Sequence, residues 1–124
     1  MIEFHHKYGV KVECYAAIGS NHAVQKREEK IQNLNLLEDP VIKEIASAKG
    51  KSPAQVCIAW HVARGTIPLA KTTKEERLLE NISASYDFTL TPEEVQKISD
   101  LDKGIRFFNP SFFGGDWHGM PYWE

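Results

Sequence analysis

SPAQVCIAWHVARGTIPLAKTTKEERLLEN, residues 52–81, reads as helix, short strand and helix in immediate succession. Ser52-Pro53-Ala54-Gln55 is a start signal: the serine hydroxyl bonds the third helical amide while Gln55 reaches back to the cap. Val56, Trp60 and Ala63 recur on one helical face, Cys57 and Ile58 widen it, and Gly65 closes the run. Thr66-Ile67-Pro68-Leu69-Ala70 then fits a buried parallel strand, with Pro68, which has no N–H to donate, placed near a strand end or bulge. Thr72 and Thr73 precede a second helix, Lys74 to Ser83, whose apolar face is Leu78, Leu79 and Ile82.

Outward from this unit the same alternation continues. On the amino-terminal side, Met1 to Tyr8 reads as the last turns of a helix, with Ile2, Phe4 and Tyr8 as its apolar surface and Gly9 as its stop. Val10 to Ala16 changes to a two-residue period with β-branched residues early on, which predicts a strand. Gly19-Ser20-Asn21-His22 ends it, and the charged stretch Gln25 to Lys30 reads as a surface loop with room for a short helix. Asp39-Pro40 caps a helix carrying Val41, Ile42, Ile45 and Ala46 up to Gly50. Toward the carboxyl end, Thr91-Pro92-Glu93-Glu94 repeats the capping box, with Val95, Ile98 and Leu101 or Asp102 following and Gly104 as the stop. Ile105 to Glu124 sets Phe107, Phe108, Phe112, Phe113, Trp117, Tyr122 and Trp123 among glycines and prolines without a period, as in a loop that packs on something. With no internal repeat and no linker-like tract, residues 1–124 read as one α/β unit whose two parallel strands are joined by helical crossovers.

Composition narrows the functional classes. Fifteen Lys and Arg against seventeen Asp and Glu give no basic stripe for a nucleic-acid backbone. No apolar run approaches the ~20 residues that cross a bilayer. Two cysteines, Cys14 and Cys57, are too few for a disulfide framework and read as buried thiols on a strand and a helix. Met1 to His6 lacks the basic start and apolar block of a secretory signal, so the expected compartment is the cytoplasm. His5, His6, His22, His61 and His118 show no spacing that completes a tetrahedral metal set, so no metal ligand is assigned. By composition alone Lys71, Thr72 and Arg77 are a solvated helix start and Tyr15 an ordinary strand aromatic.

Four segments add a family resemblance: Tyr15-Ala16-Ala17-Ile18-Gly19-Ser20; Leu37-Glu38-Asp39-Pro40-Val41-Ile42; Ser52-Pro53-Ala54-Gln55-Val56 with Trp60; and Ile67-Pro68 through Lys71 to Arg77, Glu80 and Asn81. In order and spacing they resemble the carboxyl-terminal part of the aldo-keto reductases, which reduce aldehydes and ketones with NADPH on a (β/α)8 barrel. The resemblance implies an incomplete TIM barrel: the last βα units with a terminal helix and loop, since a whole barrel takes ~250 residues. It implies NADP(H) as cofactor, with Tyr15 stacked on the nicotinamide and Gly19 and Ser20 in the loop along the pyrophosphate. Lys71, Thr72 and Arg77 would meet the 2′-phosphate, and Glu80 and Asn81 the adenine. Where the family usually reads Ser-Pro-Leu-Gly after the tyrosine, this chain has Ala16-Ala17-Ile18-Gly19, without the hydroxyl and the proline. The family's catalytic Asp, Tyr, Lys and His belong to the amino-terminal half of the barrel, so no catalytic residue is assigned here.

Three expectations follow. The first is a reductase portion that acts on a small carbonyl substrate once another segment or a complementing amino-terminal half completes the barrel. The second is a noncatalytic nucleotide-binding remnant, and the third an inert truncated product held together by self-association. In the family the terminal segment borders the substrate pocket, which implies that Phe112, Phe113, Trp117 and Trp123 line an apolar mouth. With the rest of the barrel absent, the same rings become adhesive surface.

Overall fold

The computed structural model describes residues 2–19 and 34–104. Its frame is one parallel strand pair, β1 (Glu13–Tyr15) beside β2 (Ile67–Leu69), with Glu13 opposite Ile67, Cys14 opposite Pro68 and Tyr15 opposite Leu69. The Ile67 N–H donates to the Val12 carbonyl at 2.9 Å. Backbone donors alternate sides along a strand, so the N–H that Pro68 lacks would face away from β1. Pro68 therefore sits at the centre of its short strand, not at an end, and costs this sheet no ladder bond.

The strand predicted over Val10 to Ala16 is regular only at Glu13–Tyr15, because Ala16 turns into the left-handed region with φ +56°. Alternation sorts the remaining side chains. Cys14 and Pro68 are half-buried, whereas Glu13, Tyr15, Ile67 and Leu69 share the opposite, exposed face. Ile67 and Leu69 keep 42% and 47% of their surface, which corrects the expectation of a buried strand. A parallel sheet is buried when helices cover both faces, and here the described helices cover one.

The helices begin and end largely where local chemistry says they should. The first, α1 (Ile2–Lys7), runs into Gly9 at φ +70° and is tied to the body by His6, whose Nε2–H donates to the Gly65 carbonyl at 3.1 Å. In α2 (Pro40–Lys49) the Asp39 carboxylate accepts from the Val41 N–H at 2.9 Å, and left-handed Gly50 closes the last turn. Both halves of the Ser52–Gln55 capping box form at the start of α3 (Pro53–Ala63). α4 spans Glu75–Ser83, and α5 (Pro92–Ser99) opens with the complete Thr91–Glu94 box. That last helix stops at Ser99, short of the predicted Gly104, and Ala63, expected on the packed face of α3, is exposed.

The core lies where α2, α3 and α5 meet. Ile42, Ile45, Ala46, Val56, Cys57 and Ile98 form one cluster, with Ile42 and Val56 wholly inaccessible. Burial pushes the Cys57 thiol up to about 12, so it stays protonated and inert, as expected; Cys14 is half-buried. Trp60 pins α5 from the side, its indole N–H donating to the Val95 carbonyl and Ser99 Oγ. Lys49 and Glu94 pair at 3.0 Å across α2 and α5. Desolvation raises the Glu94 carboxyl, but the Thr91 N–H and the Lys49 ammonium outweigh it and hold the group below the usual carboxylate range.

Ala16 is the one non-glycine with positive φ among the described residues. A left-handed L-residue costs about 1–2 kcal/mol, and glycine gives part of that back through its greater unfolded-state freedom. Ala16→Gly is therefore expected to stabilise the chain by about 0.5–1 kcal/mol, read as a rise in the urea midpoint.

Candidate functional site

The parallel register brings both strand ends to one edge, and the segments singled out in the sequence emerge there together. At the end of β1, Tyr15 stands 66% exposed on the open face beside Leu69, and the chain turns through Ala16, Ala17 and Ile18 to Gly19 at φ +85°. Just beyond β2 come Lys71 and Thr72, and then α4. Lys71, Arg77 and Glu80 are exposed, and Thr72 and Asn81 half-buried. Ser20 lies outside the described residues, as do the Gln25–Lys30 stretch and the aromatic tail from Ile105.

Local bonding explains the shape of the second segment. The Thr72 hydroxyl accepts from the Lys74 N–H at 3.1 Å and lies 3.3 Å from the Lys74 carbonyl, a side-chain turn that leads the backbone into α4. Lys74, the N-cap, makes no side-chain cap bond. Arg77, Glu80 and Asn81 stand three and four residues apart and so share a helical face. Glu75 and Glu76 occupy the first turn, so the helix end alone is a poor anion trap. The cations that could hold an anion are the exposed Lys71, Lys74 and Arg77 side chains, with Arg77 offering a planar fork of donors. An aromatic face, a tight backbone turn and paired cations along one sheet edge form a donor set suited to a phosphorylated nucleotide lying across the strand ends.

Two residues that the sequence reading gave no role at this edge turn out to hold it. His61 Nε2 lies 3.2 Å from the Ala17 carbonyl; because a carbonyl only accepts, this nitrogen carries the hydrogen. Its Nδ1 lies 3.2 Å from Thr66 Oγ1, while the one hydrogen of the buried Thr66 hydroxyl goes to the His61 carbonyl at 2.8 Å. Gln55, 8% exposed, does more than cap α3: its Nε2 donates to the Glu80 carbonyl at 3.3 Å and to Ser83 Oγ at 3.1 Å. Nothing in one dimension signals these partners, which lie 44 and 25 residues away.

Burial lowers the proton affinity of His61, the Ala17 carbonyl works the other way, and Arg64 adds to the lowering. The unfolded imidazole takes up its proton near pH ~6.5. The folded one does so only at lower pH, so below that value the unfolded chain binds more protons and stability falls. The urea midpoint is expected to drop between about pH 7 and 5.5, and to drop less in His61→Gln.

Comparison with known proteins bears on the family and the fold. The model of the Aldo/keto reductase family matches residues 1–103. The chain is 36% identical over 115 residues to a probable NAD(P)H-dependent D-xylose reductase of Emericella nidulans, covering 92% of this chain and 36% of that protein. It is 33% identical over 122 residues to an NADPH-dependent D-xylose reductase of Meyerozyma guilliermondii, covering 98% and 37%. Human aldo-keto reductase family 1 member A1 is 36% identical over 103 residues, covering 82% and 30%. Among solved structures, an aldo/keto reductase from Brucella melitensis superposes with a TM-score of 0.64 at 32% identity, over 81% of this chain and 32% of that one. The chain thus spans about a third of the length of the curated relatives it matches. With a family model matched over most of its length and an α/β fold like that of a solved member, this chain belongs to the aldo/keto reductase family.

Proposed function

We propose that these residues form the coenzyme-binding wall of an NADP(H)-dependent carbonyl reductase, an incomplete barrel that serves aldehyde or ketone reduction when further strands close it. The single observation that carries the reading is the convergence of Tyr15 and the Lys71–Arg77 segment on one edge of the strand pair, fixed by the register of Tyr15 opposite Leu69. The bound coenzyme supplies the hydride. Tyr15 offers its exposed ring to the nicotinamide, and the turn ending at Gly19 approaches the pyrophosphate. Lys71, Thr72 and Arg77 hold the 2′-phosphate, while Glu80 and Asn81 meet the adenine.

The proton donor in this reading is none of the assigned residues, and the open face supports its arriving on another segment. Ile67 and Leu69 of β2 and Leu78, Leu79 and Ile82 of α4 are all at least 42% exposed. Side chains of this kind normally pack under further strands or a partner.

The test is a titration of the purified chain with NADPH, NADH and 2′,5′-ADP, followed by tryptophan fluorescence or calorimetry. Saturable binding of NADPH and 2′,5′-ADP, with NADH weaker, supports the reading. Binding of none of them overturns it and favours an inert remnant. Binding without carbonyl reduction by the chain alone, and reduction once the complementing half is added, is the expected pair of results. Reduction of an aldehyde by the chain alone would overturn the assignment of the proton donor to another segment.

A further inference from the structure

We propose that α3 is a spacer that sets the distance between the two halves of the coenzyme grip, with His61 and Gln55 as positioning residues acting through the Ala17 carbonyl and through α4. The inference rests on the coenzyme reading above and adds to it two residues that touch no coenzyme themselves.

The two side chains stand six positions apart on one helix, about 9 Å along its axis and roughly 120° around it. They therefore reach different neighbours. His61 takes the turn after β1, and Gln55 takes the last turns of α4. Between them runs a helix whose residues from Gln55 to Ala59 are all buried, which makes it the most firmly packed element near the site. The grip itself is weakly packed. No residue of α4 is buried, its N-cap side chain makes no cap bond, and only Ala84 just beyond it is inaccessible. When apolar burial does so little to place a helix, directed hydrogen bonds decide where it sits. Gln55 supplies two of them, at the Glu80 carbonyl and Ser83 Oγ, on the turn that carries Glu80 and Asn81.

His61 does the corresponding work at the other half. Its Nε2–H donates to the Ala17 carbonyl at 3.2 Å, and the ring edge at Nδ1 lies 3.2 Å from Thr66 Oγ1. In a trans peptide the N–H points opposite to the C=O, and the chain has no cis bonds among the described residues. Pinning the Ala17 carbonyl toward α3 thus turns the Ile18 N–H away from α3, the orientation an anion passing the turn requires.

The two ties predict separable losses. His61→Phe keeps the ring and removes the donor, so NADPH affinity should fall about three- to tenfold, the worth of one hydrogen bond. The affinity for 2′-AMP, which carries no pyrophosphate group to meet the turn, should stay within about twofold of the unaltered chain. His61→Gln, whose amide places an N–H near the position of Nε2, should restore NADPH binding. Gln55→Glu keeps the acceptor of the capping box and removes the amide donor to α4, so NADPH and 2′-AMP should weaken by similar factors of about three to ten. Equal losses on NADPH and 2′-AMP in His61→Phe, no loss on NADPH, or an unaltered 2′-AMP affinity in Gln55→Glu would each overturn the proposal. Should His61→Phe lose its far-ultraviolet circular dichroism, His61→Leu, which also removes the donor to Ala17, is read by the same criteria. An unaltered chain that binds neither ligand overturns the coenzyme reading itself, and this inference with it.

Discussion

Ile42→Ala is expected to lower the free energy of unfolding by about 2–5 kcal/mol, the range for truncating a fully enclosed aliphatic side chain. Ile42 lies on α2 with no accessible surface, in the cluster with Ile45, Ala46, Val56, Cys57 and Ile98. Its loss removes apolar transfer energy and leaves a cavity at the meeting point of three helices, whose caps at Asp39, Ser52 and Thr91 oppose a collapse inward. A domain of this size holds only about 5–15 kcal/mol in total, so the change should be plain in a urea curve as an earlier midpoint with a similar slope. By contrast Leu79→Ala, at a residue 64% exposed on α4, should cost well under about 1 kcal/mol in the isolated chain. Finding the two substitutions equally costly would mean that the α4 face is covered in solution, by a second copy or another segment.

Arg77→Ala is expected to remove most of the preference for NADPH over NADH while leaving the fold intact. Arg77 is exposed on the first turns of α4, so its removal opens no cavity. A charge-assisted bond to a phosphate is worth about 1.5–3 kcal/mol, which corresponds to roughly ten- to a hundredfold in affinity. NADH has no 2′-phosphate and should be bound about as before. Arg77→Lys should recover only part of the loss, because an ammonium is a point charge and cannot offer two parallel donors to one phosphate. An NADPH preference that survives in Arg77→Ala would show that another cation, such as Lys71 or Lys74, carries the recognition.

The readings that held were those whose physics closes within a few residues. Asp39 and Pro40, Ser52 and Gln55, and Thr91 and Glu94 bond to their own helix starts, so their placement needs no tertiary partner. The family was legible for a related reason: the segments at 15–20, 37–42, 52–60 and 67–81 that carry the resemblance are short local runs, and the family model matches residues 1–103. The readings that failed depended on what lies alongside. Val10 to Ala16 alternates like a longer strand, but strand length is set by the partner, and β2 offers three paired residues. Ile67 and Leu69 are apolar enough for an interior, yet whether they are buried depends on what covers the second face. Pro68 read as lying near a strand end or bulge because a lost donor was assumed to matter, and the direction of that donor is a property of the sheet.

What the sequence determined by itself, then, is where the helices start, in what order strands and helices follow, and to which family the chain belongs. Only the tertiary structure decided that Tyr15 stands opposite Leu69, that one sheet face is open, and that His61 and Gln55 reach Ala17 and α4. The reason is the range of the forces: caps and periodicity are settled between residues three or four apart. Register and cross-ties join groups 25 to 59 positions apart, and depend on packing that no local pattern encodes.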